Sequence, residues 1–121
     1  MSNEKAKISP RCPIRTTLQL VGGKWRLLII YQLKDQPLRF GELKRRIPEI
    51  SEKMLTQELK ILVVDHLVDR KNFGTVPPRV EYRLTERGRQ VFPLIEAMEI
   101  FARQYNDPDN YTLYETRDRK E

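Results

Sequence analysis

Four side chains, Lys53, Thr56, Gln57 and Lys60, recur at i, i+3, i+4 and i+7 of the string SEKMLTQELKIL. On an α-helix that spacing gathers them on one face. Two cations beside two groups able to hydrogen-bond are what a helix needs to neutralise phosphates and meet base edges in a DNA major groove. The same pattern is also that of an ordinary amphipathic helix with a solvated charged face, and these residues alone leave both readings open. A further cation, Arg79, follows Pro77-Pro78 in a stretch too stiff to pair with other strands, and a lone thiol, Cys12, stands beside Arg11 and Arg15.

Other residues must position these groups. Leu55, Leu59 and Leu62 repeat at i, i+4 and i+7 on the far side of the same helix and must face a core, with Ser51 as its N-cap. Upstream, Phe40, Leu43 and Ile47 form the apolar stripe of a shorter helix, Pro48 ends it, and Ile50 plugs the turn. The two together read as a helix-turn-helix running to about Asp65. Residues 67–73 and 80–84 have the period-2 character of strands, with Val80, Tyr82 and Leu84 on one face and Glu81 and Arg83 on the other. A helix-turn-helix followed by a hairpin with a basic tip is a winged helix.

Around that unit, Cys12 and Pro13 open a first helix lined by Ile14, Leu18 and Val21 and ended by Gly22-Gly23. Residues 24–35 are apolar on almost every side, which predicts a central buried helix, and Leu38-Arg39 is a strand stub. Thr85 caps a long final helix to about Tyr105, in which Pro93 predicts a kink. Its stripe of Val91, Leu94, Ile95, Met98, Phe101, Ala102 and Tyr105 is too broad for a peripheral helix to bury on a small domain, which predicts dimerisation. The fold class is mainly α with a small β-hairpin wing (α+β). Residues 1–10 form a polar N-terminal tail, 11–105 one domain and 106–121 a polar tail.

Composition narrows the function. The net charge of +6 is uneven: residues 39–89 carry twelve Lys and Arg against eight Asp and Glu, and residues 90–121 carry four against seven. A basic excess over the helix-turn-helix is the electrostatic footprint of a nucleic-acid binder. No apolar run approaches the roughly 20 residues that span a bilayer, and the first ten residues lack a secretory core, so a cytoplasmic protein without membrane contact is expected. With one His, one Cys, no clustered metal ligands and no phosphate loop (Val-Gly-Gly-Lys-Trp has the wrong spacing), neither an enzyme nor a cofactor or metal is expected. RNA binding lacks an exposed run of stacking aromatics. The alternative is a winged helix used as a protein-protein interaction module, which Lys53, Lys60 and Arg79 argue against.

The chain resembles the HxlR-type winged helix-turn-helix transcriptional regulators of bacteria and archaea, relatives of the MarR group. The resemblance spans residues 12–105 and rests on Cys12-Pro13, Gly22-Gly23-Lys24-Trp25, Leu38-Arg39-Phe40 with Glu42-Leu43, Ile50-Ser51, Leu55-Thr56, and Pro77-Pro78-Arg79-Val80-Glu81-Tyr82-Arg83-Leu84-Thr85 with Gly88. It implies a homodimer held by the first and last helices, through Ile14, Leu18, Leu94, Ile95, Met98, Phe101 and Tyr105, on a palindromic double-stranded DNA operator. Ser51, Lys53, Thr56, Gln57 and Lys60 match the recognition helix and Arg79 the wing. Lys53 and Lys60 suit phosphates, Thr56 and Gln57 base edges, and Arg79 a narrow minor groove. Arg39 and Lys44 fit backbone contacts and a solvated surface equally well.

Two departures from the family pattern stand out. His66 replaces a customary glycine, at a position suited to a left-handed cap, and is read as structural. Ile61, Val63 and Val64 replace a more acidic segment, which predicts extra burial there. At Cys12, a helix N-terminus and neighbouring cations both favour thiolate. Some members of the family use a cysteine at this place as a redox or electrophile sensor, and in others it has no known sensing role. Control by Cys12 modification, control by a small effector, and a packing role all stay open at this point.

Overall fold

Apolar residues at helical spacing, interrupted by Gly and Pro, produce six helices and one hairpin over the described residues, 9–106 of this computed structural model. In order they are α1 (Pro13–Val21), α2 (Arg26–Gln32), α3 (Phe40–Arg46), α4 (Glu52–Val64), β1 (Val68–Asn72), β2 (Val80–Leu84), α5 (Glu86–Arg89) and α6 (Phe92–Tyr105). The chain forms two compact units, one ending at Arg89 and the other beginning at Gln90. No helix among the described residues is long and apolar enough to cross a membrane.

The first unit is a winged helix. Leu43 of α3, Ile47 at the end of that helix, Ile50 of the turn, and Leu55, Leu59 and Leu62 of α4 are buried together with Ile29, Ile30, Leu38 and Val68. Ser51 caps α4, its hydroxyl oxygen accepting the Met54 N–H at 3.0 Å. Strands β1 and β2 pair antiparallel, Val68 opposite Leu84 and Asn72 opposite Val80. Leu38 adds a third partner through two backbone bonds with Tyr82, so the predicted stub is one residue of sheet. At the tip the Phe73 N–H reaches the Arg79 carbonyl at 2.9 Å, and the Val76-Pro77 bond is cis.

The end of α4 is joined to the wing by a compact set of hydrogen bonds. His66 has φ of 62°, the left-handed conformation expected of it. With it the Leu67 N–H reaches the Leu62 carbonyl and the His66 N–H the Val63 carbonyl, both at 3.0 Å, closing the helix in a Schellman motif. The Thr85 hydroxyl then donates to the His66 carbonyl at 2.6 Å and accepts the Gly88 N–H at 3.0 Å. A Cβ on Gly88 would collide with the Leu67 carbonyl, so a side chain there would push this junction apart.

Three expectations need correction. Helix α2 is two turns long and buries one side only: Ile29, Ile30 and Leu33 face the core, whereas Leu28 and Tyr31 are 44% and 41% exposed. A helix this short lies against one layer and cannot be surrounded. The long final helix is broken at Gln90 and Val91, because Pro93 has no N–H to bond the Arg89 carbonyl. The chain restarts as α6 with Pro93 in its first turn, where no donor is needed, instead of kinking one helix. The apolar end of α4 is not extra core, since Val64 is 72% exposed and Ile61 and Val63 are half-buried. Only positions in step with Leu55, Leu59 and Leu62 reach the interior. The tails expected at 1–10 and 106–121 lie outside the described residues up to 8 and from 107 on.

The His66 backbone carries a testable cost. A left-handed non-glycine residue loses roughly 1 kcal/mol, so His66→Gly should raise the unfolding free energy by about that amount. Urea denaturation should show a higher midpoint with an unchanged slope; an unchanged or lower midpoint would mean that His66 carries no such strain.

Candidate nucleic-acid interface

Helix α4 is held in one rotational setting. Leu55, Leu59 and Leu62 fix its inner side, and the Glu58 carboxylate takes the Arg26 Nε–H at 2.9 Å, with both side chains mostly buried. Arg26 also donates to the Gln19 and Leu20 carbonyls at the end of α1. Lys53, Thr56, Gln57 and Lys60 are consequently exposed together on the outer side. Lys53, Gln57 and Lys60 have no side-chain partner among the described residues, so their polar ends are available to a ligand. Thr56 donates its hydroxyl proton to the Glu52 carbonyl at 2.8 Å. What it offers outward is therefore a methyl group and an acceptor lone pair, suited to a thymine methyl or a base amino group. The Ser51 oxygen accepts its cap bond and keeps its O–H free to donate.

The wing presents a restrained cation. Arg79 donates from Nε and Nη2 to one oxygen of Glu81, at 3.2 and 2.8 Å, and its guanidinium lies 4.9 Å from the Phe73 ring centroid. The Lys71 ammonium sits 4.9 Å from the same centroid. Arg83 approaches the other Glu81 oxygen at 3.6 Å. Glu81 thus lies between two guanidiniums that share its face of β2, and Arg79 is oriented while half of its side chain stays open to solvent.

The other residues singled out in the sequence divide. Arg39 is exposed at the start of α3, its backbone N–H held by the Glu42 carboxylate at 2.8 Å. The Lys44 ammonium donates to the Pro48 carbonyl at 3.1 Å and so closes the helix-turn-helix turn, a role that its charge alone did not suggest. Cys12 is the half-exposed residue preceding α1 and makes no side-chain cap bond. It lines an open concavity with Ile14, Arg15, Leu18 and Gln19. Of the apolar residues assigned to an interface, Ile14, Leu18, Leu94, Met98 and Phe101 are exposed and Tyr105 is half-buried, its ring stacked on that of Phe101 with centroids 6.0 Å apart. Ile95 is buried in the chain itself and is not free for a partner, a correction to its assignment. Sequence reasoning missed exposed Ile100, the Arg26 and Glu58 pair, and Arg70 on β1. Assigning a face to every β1 residue would have singled out Arg70.

Known proteins share the fold and much of the sequence. The family model described as HxlR-like helix-turn-helix matches residues 20–110. An HTH-type transcriptional regulator of Methanothermobacter thermautotrophicus is 43% identical over 94 residues, which are 78% of this chain and 72% of that protein. The crystal structure of a MarR-family transcriptional regulator from Porphyromonas gingivalis W83 is 49% identical, with a TM-score of 0.74, over 84% of this chain and 98% of that one. The redox regulator HypR in its oxidised form is 40% identical, with a TM-score of 0.74, over 79% of this chain and 99% of that one. With a helix-turn-helix, a hairpin wing and a family match over most of its length, this chain belongs to the HxlR-like helix-turn-helix family of transcriptional regulators.

Proposed function

We infer that the protein acts as a homodimeric, sequence-specific double-stranded-DNA-binding regulator, a repressor that occupies a palindromic operator. The observation that carries this reading is the rotational locking of α4, which leaves Lys53, Thr56, Gln57 and Lys60 outward beside a wing bearing the oriented Arg79. Lys53 and Lys60 neutralise phosphates, Gln57 and Thr56 read base edges, Ser51 donates to the backbone, and Arg79 enters the flanking minor groove. Arg39 and the partly engaged Lys44 add general attraction.

Dimerisation follows from uncovered apolar surface. Ile14 and Leu18 on α1 are 72% and 62% exposed, and Met98 and Phe101 on α6 are 48% and 67% exposed. Patches of this kind on a helix face are removed from water most simply by a second copy. Two recognition helices about one DNA turn apart, ~10 base pairs, then read the two halves of the operator.

Cys12 supplies a route to control. A relative is described as a redox regulator in oxidised and reduced forms, and in this chain the thiol is half-exposed at the start of α1, a helix assigned here to the dimer interface. Oxidation of Cys12 would therefore alter the spacing of the two recognition helices.

Three outcomes are expected. Selection from random duplex DNA should return a palindromic motif, and Gln57→Ala should lose about 1–3 kcal/mol of discrimination at one base pair per half-site; a motif identical to that of the parent protein would remove Gln57 from base reading. Phe101→Asp should convert the dimer into monomer or insoluble protein, and sedimentation of an unperturbed dimer would take α6 out of the interface. Cys12→Ser should bind DNA normally and abolish oxidant-dependent release, so that release persisting in the variant sinks the sensing role.

A further inference from the structure

Arg70 is absent from every role assigned so far, and its surroundings are distinctive. A groove of about 490 Å³ runs between α4 and the hairpin, with Thr56, Lys60, Val63 and Val64 on the helix side and Arg70 and Tyr82 on the hairpin side. Arg70 pairs in register with Tyr82 and shares a strand face with Val68, whereas Lys71, Phe73, Arg79 and Glu81 belong to the opposite face. Neither Lys60 nor Arg70 has an ion pair or hydrogen bond among the described residues, and no carboxylate lines the groove. Two cations unpaired among the described residues, one on α4 and one on β1, therefore line the same largely apolar groove.

We propose that this groove seats the sugar-phosphate backbone of one DNA strand, clamped between Lys60 and Arg70; the proposal rests on the DNA-binding reading above. A recognition helix in the major groove and a wing tip at the neighbouring minor groove must straddle the phosphate ridge that separates the two grooves. The space between α4 and the hairpin is where that ridge passes. Its chemistry matches as well: the backbone alternates anionic phosphates with apolar deoxyribose rings, and the groove sets cations on its two walls around Val63, Val64 and the Tyr82 ring. This accounts for Val64, which lies 72% exposed beside Lys60 and Arg70 in the lining of the groove. On DNA the valines cover sugar carbons and leave water.

The test compares full-length protein with R70Q, R70K and K60Q on the duplex motif selected by the parent protein, across a salt series. Each neutral variant should flatten the slope of log affinity against log salt by about 0.9, so that a tenfold rise in salt weakens it roughly eightfold less than the parent. R70K should restore the slope, and the selected motif should be the same for all four proteins. A single neutral methylphosphonate, walked along the backbone, should weaken the parent at one position per half-site and leave R70Q unaffected there. An unchanged slope in R70Q, or an altered motif, overturns the groove while leaving DNA binding intact. A small organic anion that binds the parent in this groove without competing with DNA would also overturn it, and parent protein that binds no duplex overturns both readings at once.

Discussion

The rotational setting of α4 is the constraint from which the rest of the site follows. A helix that buries Leu55, Leu59 and Leu62 has one outward face only, and turning it by a single position would replace leucine with charge in the core. Glu58 reinforces the setting through Arg26. A mostly buried ion pair adds little net stability, because desolvation offsets its attraction, but stranding either partner is costly, so the pair discriminates against other rotations. Arg26 also covers two carbonyls at the end of α1, which ties a third helix to the same decision. Lys53, Thr56, Gln57 and Lys60 face outward as a consequence.

The wing inherits its position from that helix. Its first strand starts directly after the Schellman motif at His66 and Leu67, and Thr85, at the end of the second strand, returns to the His66 carbonyl. Both ends of the hairpin are thus fixed to the closing turn that follows α4 by short hydrogen bonds rather than by long side chains. Leu38 pins the middle of β2 through Tyr82. The width of the groove between helix and hairpin is therefore a backbone property, and Gly88 contributes by lacking the Cβ that would force Leu67 away. A rigid separation between a helix and a wing is what a regularly spaced double helix requires of its reader.

These relations were legible in the sequence to different depths. The helix-turn-helix was clear because its leucines, its Ser51 cap and Pro48 all act locally, and propensity, pattern and turn chemistry agreed. His66 stood out because a left-handed cap is a backbone demand that few residue types meet cheaply. The one-sided burial of α2 was not legible: apolar residues on every side of a short segment look like burial, yet two turns against one layer leave Leu28 and Tyr31 in solvent. At Pro93, pattern alone could not separate a kinked helix from two helices, because both place the same apolar residues on the same stripe. Within the site the outward face of α4 was readable from period alone. The partners of Arg79, Lys44 and Thr56 were not, since each depends on which neighbour a flexible side chain or hydroxyl finds in space.

That last difference changes how the charge should be understood. The formal excess of +6 treats all cations alike. In the folded chain Arg26 is committed to Glu58, Arg79 and Arg83 share Glu81, and Lys44 closes a turn. A guanidinium held by a carboxylate and an aromatic ring contributes less field than a free one, but it arrives already oriented and gives up less conformational freedom on contact. Lys53, Lys60 and Arg70, unpaired among the described residues, contribute field and lose freedom when they bind. Oriented groups suit a site where geometry must be read, and mobile cations suit a uniform phosphate ridge. By this criterion the DNA-binding reading proposed above would assign Arg79 to shape recognition and the unpaired cations to the general attraction of any duplex to the surface.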